Sequence, residues 1–310
     1  MKEGLVIKST GSWYTVIDND KTEYNCKIRG KFRIKGIKST NPIAVGDYVY
    51  FNFDEKENIG IINKIRPRKN YIVRKSVNLS KQLHIIASNI DIAFLMVTLK
   101  EPQTSSEFID RVLVTLEAYK ISTIILFNKV DILNEEEIEI LEYYKMIYTI
   151  AGYKCIEIVA NKGVNIDSVK AEMKDKTSVV IGHSGVGKST LINSIEDNLL
   201  ARVSEISEYH KAGMHTTTFA EMFELSFGGY YIDTPGIKGF GLFEFKKEEL
   251  HHYFPEIFEK SKECKFYNCT HTHEPGCAVK QAIDEDMLSK ERYYNYLSIY
   301  SGDDNEKHRV

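Results

Sequence analysis

The run Gly182-His183-Ser184-Gly185-Val186-Gly187-Lys188-Ser189 has the residue types and spacing of a phosphate-binding loop, G-x-x-x-x-G-K-[ST]. Glycines let the backbone curl until successive N–H groups face one anion, and the amino end of a following helix adds its positive pole. Lys188 is expected at the β- and γ-phosphates and Ser189 at Mg²⁺. Asp233-Thr234-Pro235-Gly236 ends the next apolar strand. There Asp233 can hold the metal through water and the Gly236 N–H can sense the γ-phosphate, although the same tetrapeptide also reads as an ordinary turn.

Asn128-Lys129-Val130-Asp131 follows another strand. The Asp131 carboxylate can accept from both the N1–H and the exocyclic amine of guanine, a pair that adenine does not offer, while Lys129 packs over the base. Val159-Ala160-Asn161 follows the next strand, where a backbone N–H can meet the guanine oxygen. These loops fall at the carboxyl ends of strands, the edge at which open α/β sheets bind ligands, and together they point to GTP or GDP.

Their order is permuted. Ordinary GTPases carry the phosphate loop first and the guanine loop late, whereas here Asn128–Asp131 and Ala160 precede Gly182–Ser189, and Asp233–Gly236 comes last. The segment after Gly236 runs straight into a Cys/His-bearing region, so nucleotide state can be coupled to that region's position. Between the phosphate and metal loops lies Gly213-Met214-His215-Thr216-Thr217-Thr218, the stretch from which a switch threonine, taken as Thr217, reaches Mg²⁺. The alternative is a plain polar turn. Position 237, a water-orienting glutamine in many GTPases, is Ile237. A hydrocarbon cannot orient water, so hydrolysis should be slow alone, with His215 or a partner group supplying the function.

Cys264-x₄-Cys269-x-His271-x₅-Cys277 offers three thiolates and an imidazole, a closed four-ligand set suited to one structural Zn²⁺ per chain, with His273 as the rival fourth ligand and free thiols as the alternative. The other two cysteines, Cys26 and Cys155, read as isolated thiols.

Elements must hold these residues in place. From Leu5 to Ile65 short alternating runs separated by turns predict a five- or six-stranded barrel, with an OB-type barrel preferred and an SH3-like one open. Arg66-Pro67-Arg68-Lys69-Asn70 reads as a basic linker. Strand 91–98, helix 108–119, strand 122–127, helix 135–151, strand 154–159, helix 166–173 and strand 178–181 then alternate as in a parallel sheet with helices on its faces. Segments 219–227 and 230–233 predict an antiparallel hairpin around Gly228-Gly229. Beyond about residue 245 the chain reads as mostly helical, ending in an aromatic helix over 289–300 and a polar, disordered tail. The expected division is an RNA-binding barrel at 1–69, a permuted GTPase domain at 70–245 and a zinc-binding domain at 246–310.

At 310 residues, 43% hydrophobic and 27% charged, the composition excludes disorder, collagen and coiled coil. The longest apolar runs are of strand length, far below the roughly 20 residues of a membrane helix. No secretory signal is visible at the start, so a cytosolic protein without membrane contact is expected. The net charge of −3 hides an asymmetry: residues 1–75 hold 16 Lys+Arg against 8 Asp+Glu, or +8, leaving −11 on the rest. Lys27, Arg29, Lys31, Arg33 and Lys35 recur at every second position, a candidate cationic row for a polyanion or a merely solvated face. Phe32 and Tyr24 could stack on bases or fill the barrel core.

A permuted guanine-nucleotide domain behind a basic barrel and ahead of C-x₄-C-x-H-x₅-C resembles the small ribosomal subunit biogenesis GTPase family, RsgA (YjeQ/YloQ). The resemblance spans essentially the whole chain and includes His215-Thr-Thr-Thr and Glu274-Pro275-Gly276. It implies a bacterial, cytoplasmic, monomeric GTPase that contacts the 16S rRNA of the 30S subunit through barrel and zinc domain. Such an enzyme hydrolyses GTP when the subunit stimulates it, late in assembly. Asn128–Asp131 and Gly182–Thr190 would hold GTP, and Cys264, Cys269, His271 and Cys277 zinc. Two positions depart from the family pattern. Ala160-Asn161 replaces the usual Ser-Ala, and Glu244 stands where some members carry a histidine considered catalytic, so that role is not transferred. An RNA-binding module with structural GTP, or an ATP-using P-loop kinase that Asn128–Asp131 disfavours, would be the competing classes.

Overall fold

The computed structural model describes residues 1–28, 42–75, 83–197, 199, 220–233 and 246–302. Arg29 to Lys35 of the cationic row, His215, Thr217, Thr234 to Gly236, Ile237, Glu244 and the tail from 303 lie outside the described residues. Two compact units form. One comprises Met1–Ala93, Ile166–Ile181 and Lys188–Gly241, the other Phe94–Asn165, Gly182–Gly187 and Leu242–Val310.

In the first unit, strands β1 (Lys2–Ser9), β2 (Tyr14–Ile17), β3 (Glu23–Ile28), β4 (Tyr48–Asp54) and β5 (Ile59–Ile65) run in the order β1-β2-β3-β5-β4, and β4 returns to β1. This closes a five-stranded barrel with antiparallel pairs except β3–β5, which is parallel, the OB arrangement expected. Alternation places Val6, Val16, Tyr24, Cys26, Phe51 and Ile62 inside. Tyr24 is therefore core, and its hydroxyl donates to Asp18 at 3.0 Å.

The segment read as a linker is fastened. Arg68 donates twice to buried Asp47, both at 2.6 Å, and the Asn70 amide exchanges two 2.8 Å bonds with the Ile90 backbone. A hairpin that the sequence reading left out, β6 (Tyr71–Lys75) with β7 (Leu83–Ser88), follows it. The same unit holds β11 (Thr177–Ile181), parallel to β13 (Tyr230–Asp233), which pairs antiparallel with β12 (Glu221–Glu224) around Gly228-Gly229. Helices α3 (Ile166–Met173) and α4 (Lys188–Ile195) belong here too.

The second unit contains β8 (Ile92–Val97, from Phe94 onward), β9 (Ser122–Asn128) and β10 (Lys154–Ile158) side by side, β9 and β10 parallel. Every residue of β8 is buried, as in a parallel strand covered on both faces. Helix α1 (Ser106–Ala118) starts at a Ser105 cap, and α2 (Glu135–Ile150) at an Asn134–Glu137 capping box. The C-terminal part is a 3₁₀ segment (Lys247–Tyr253) with α5 (Pro255–Ser261), α6 (Ala278–Asp284) and α7 (Lys290–Ser301). Leu250, Phe254, Ile257, Val279 and Tyr296 form its core with Val114 of α1. Among the described residues no helix is long and apolar enough to cross a membrane.

Candidate nucleotide site and metal centre

Asn128, the last residue of β9, is buried, and its amide is used at both ends. Nδ2 donates to the Val186 carbonyl of the phosphate loop at 2.8 Å, and Oδ1 accepts from the Ala160 N–H at 3.0 Å. One side chain thus fastens the guanine loop, the phosphate loop and the loop after β10 to each other. Gly187 lies so close that an added Cβ would sit 2.5 Å from Asn128 Nδ2, and its φ of +102° is one that L side chains rarely adopt. An added Cβ at Gly182 would run into the Met96 carbonyl of β8. Two glycines of the motif are therefore demanded by close approach as well as by phosphate.

The Ala160 N–H is occupied by Asn128, and the neighbouring Asn161 is exposed. Asp131 ion-pairs with Lys162 at 2.8 Å, and that bond holds its carboxyl below the usual carboxylate range, so it is an ionised acceptor. Lys129, in the left-handed region at φ 63°, donates its ammonium to the Glu101 carbonyl in the β8–α1 loop. From α1, the Phe108 ring lies 3.6 Å, centroid to centroid, from the His183 imidazole. Ser184 and Gly185 are exposed and Val186 is buried. Lys188, Ser189 and Thr190 open α4 directly after the loop, Ser189 and Thr190 exposed. Asp233 ends β13 opposite Glu221, with the Tyr231 hydroxyl 3.4 Å away.

The ligand atoms of Cys264, Cys269, His271 and Cys277 all lie within 4.8 Å of one another. His271 Nδ1 is 3.6 Å from Cys264 Sγ and 3.4 Å from Cys277 Sγ, and the two sulfurs are 3.9 Å apart. Tetrahedral zinc bonds of ~2.3 Å to sulfur and ~2.0 Å to nitrogen imply sulfur–sulfur and sulfur–nitrogen separations of about 3.8 and 3.5 Å. The set fits zinc through Nδ1. Burial pushes the Cys269 thiol up to about 12 and raises Cys277, so these two sulfurs need a cation beside them to become thiolates. His273 is exposed, with Nδ1 2.8 Å from Thr272 Oγ1, outside the cluster.

The loop that presents His271 is itself held. The Glu274 carboxylate accepts from the Thr270, Thr272 and His273 N–H groups and the Thr270 hydroxyl. Against the effect of its partial burial, these bonds keep it down at about 2. Tyr293 and Tyr296 of α7 donate to the His271 and Thr270 carbonyls, both at 2.7 Å.

Residues 3–62 match the RsgA N-terminal domain and residues 65–243 the RsgA GTPase family. The chain belongs to the RsgA family. It is 55% identical to the small ribosomal subunit biogenesis GTPase RsgA of Christiangramia forsetii, over 99% of this chain and 98% of that one. It is 51% identical to RsgA 2 of Bacteroides thetaiotaomicron, over 99% of each chain. Among solved structures it is similar to YjeQ from Thermotoga maritima, with TM-score 0.80, 32% identity, and 97% of this chain and 98% of that one covered. It is also similar to YloQ, described as a circularly permuted GTPase, with TM-score 0.78, 29% identity, and 100% and 97% covered. The chain is thus a GTPase with a permuted central domain, from a family whose curated members are named for small-subunit biogenesis.

One constellation in this RsgA-family chain escaped the sequence reading. Arg292 of α7, 2% exposed, donates to Asp110 of α1, and to both Glu256 oxygens of α5 at 2.6 and 3.0 Å. Asn295 donates to the other Asp110 oxygen at 2.7 Å, and the rings of Tyr148 and Phe254 each lie 5.2 Å from the guanidinium. Burial pushes the Asp110 carboxyl up to about 6 despite Arg292. The one signal in the sequence was an aspartate among the apolar positions of α1.

Proposed function

We propose that this chain is a switch in small-subunit maturation that binds the 30S subunit and its 16S rRNA, and hydrolyses GTP to GDP and phosphate when the subunit stimulates it. The observation that carries the nucleotide half is the Asn128 amide, which joins phosphate and guanine loops into one site.

In this reading Asp131 accepts from the guanine N1–H and amine, and the Asn161 N–H donates to the guanine oxygen. Gly182–Gly187 wrap the phosphates with backbone N–H groups, and Lys188 offsets the charge that develops on the β–γ bridge. Ser189 and Thr217 would hold Mg²⁺, Asp233 would orient one of its waters, and Gly236 would sense the γ-phosphate. Mg²⁺ held there would supply neutralisation of the phosphate charge. With Ile237 in place of a water-orienting side chain, His215 or a group of the subunit completes the site, so turnover alone is slow.

Zinc held by Cys264, Cys269, His271 and Cys277 would shape the C-terminal region as a structural element. The barrel supplies the RNA contact. In support, Lys27 sits 3.9 Å over the half-exposed Trp13 ring, a cation beside a stacking platform. The protein would act as a cytoplasmic monomer.

The test is single-turnover GTP hydrolysis with and without purified 30S subunits across salt concentrations. A rate that rises steeply with subunit and falls with salt is expected. A rate indifferent to subunits would instead leave GTP as a structural ligand of an RNA-binding module.

A further inference from the structure

The connection from Val97 of β8 to Ser106 of α1 runs through residues 98–105, longer than the roughly two to six residues that a βα connection commonly takes. Its length is folded rather than loose. The Thr104 N–H donates to the Thr98 carbonyl at 2.8 Å and the Thr98 N–H to Thr104 Oγ1 at 3.1 Å, so the turn is closed at its base. Across it, the Thr98 hydroxyl donates to the Pro102 carbonyl. Both threonines are buried.

The closed turn touches three pieces around the nucleotide loops. The Glu101 carbonyl accepts from the Lys129 ammonium of the guanine loop. The Pro102 ring stands against the phosphate loop, so close that an added Cβ at Gly185 would fall 3.2 Å from its Cδ. Lys100 ion-pairs at 3.1 Å with Glu137, which completes the Asn134 capping box of α2 just after the guanine loop. The acceptor for Lys129 is main chain, so its place is set by the shape of the turn and not by the side chain at 101. A lysine fixed over a base loses the rotamer freedom of a long flexible stem. Here that ordering precedes the nucleotide, which leaves less of it to be opposed on binding.

We infer that the turn 98–104 orders Lys129 in advance for the guanine base, and that Thr98 and Pro102 are positioning residues for guanine nucleotides. The inference rests on the reading of Asn128–Asp131 and Gly182–Ser189 as the nucleotide site. Thr98 acts at one remove: its hydroxyl pins the Pro102 carbonyl, and Pro102 directly follows the residue whose carbonyl holds Lys129.

The test is the Kd for GDP, measured by calorimetric titration of the full chain. Thr98→Val keeps the branched shape and removes the hydroxyl, and losing one hydrogen bond of ordinary net strength should weaken binding about fivefold. Thr98→Ser should bring affinity back to within about twofold of the unaltered chain. In a Lys129→Met background, where an unbranched stem remains and the ammonium is gone, Thr98→Val should cost less than about twofold. Pro102→Gly keeps the carbonyl that Thr98 holds and frees the backbone around it, so it carries the same two expectations should Thr98→Val fail to fold. Equal losses in both backgrounds overturn the inference, because the turn is then only packing. So does unchanged or tighter binding by Thr98→Val, the latter meaning that Lys129 must leave Glu101 before the base enters. An unaltered chain that binds no GDP overturns instead the nucleotide-site reading, and this inference with it.

Discussion

Arg292 and Asp110, 182 positions apart, are joined as a fully buried ion pair that ties the last helix to the first. Glu107 of α1 also accepts from Ser298 of α7 at 3.0 Å, while Phe108 between them lies against His183. The sequence suggested coupling between nucleotide and Cys/His region through the segment after Gly236. Among the described contacts, α1 bonds α7 through Glu107 and Asp110, packs on it through Val114, and meets the phosphate loop through Phe108.

Arg292→Met strands two buried carboxylates and should destabilise the protein by about 3–5 kcal/mol at pH 7, measured by denaturant unfolding. Adding Asp110→Asn should recover part of the loss. Asp110 has a folded pKa raised to about 6, so its contribution is present below the unfolded carboxylate range and is lost as pH rises through about 6. The deficit of Arg292→Met should therefore be smaller at pH 5 than at pH 7. An equal deficit at both would contradict the assignment.

Phe108→Ala should weaken GTP and GDP binding alike, by roughly a few-fold, because it removes the ring that backs His183. Phe108→Tyr should restore it. Calorimetric titration decides, and a loss of stability without a change in affinity would argue that the stacking is only packing.

Asn128→Ala leaves the Val186 carbonyl and Ala160 N–H without their partner, at a cost of about 1–3 kcal/mol each where they stay buried. Both nucleotides should bind at least about tenfold less tightly. Asp131→Asn, by contrast, should shift preference from guanine toward xanthine nucleotides in a competition assay. Unchanged GTP selectivity in that variant would sink the guanine-loop assignment.

Elemental analysis should find one zinc per chain, lost in Cys277→Ser and retained in His273→Ala. Stripping it with a chelator should collapse the near-ultraviolet signal from Tyr293 and Tyr296, whose hydroxyls bond the ligand loop.

The loops were readable because chemistry dictates their residue types: a phosphate loop must be glycine-rich and a zinc cluster must be thiol-rich. Regular elements were readable where periodicity is strong, and α3 falls at the expected bounds, Ile166–Met173. What stayed hidden is pairing between distant polar residues. Nothing local in Arg66–Asn70 announces that Arg68 will meet Asp47 or that Asn70 will meet Ile90, so a fastened crossing reads as a basic linker. The same blindness applies to Arg292. Charge counts suffer likewise, since Lys2, Lys8, Lys21, Arg66, Arg68 and Lys69 each have an acidic partner.

That pairing alters the test of RNA attachment. Excising 1–69 would remove β1, the neighbour of β12, and Asp47, which accepts from Ser88 at 2.7 Å. Lys27→Glu with Lys64→Glu is the cleaner perturbation. It should lower the slope of log K against log salt by about 1–2 in subunit binding, with GTP binding intact.

Asn128 reaches Val186 58 positions ahead and Ala160 32 positions ahead through one carboxamide. Such a rivet is indifferent to which strand of chain was synthesised first. A fold whose ligand loops are riveted sideways, rather than by their covalent neighbours, can have its ends reassigned without dismantling the pocket. The displaced termini then become free to carry a barrel at one end of the chain and a thiol-bearing segment at the other.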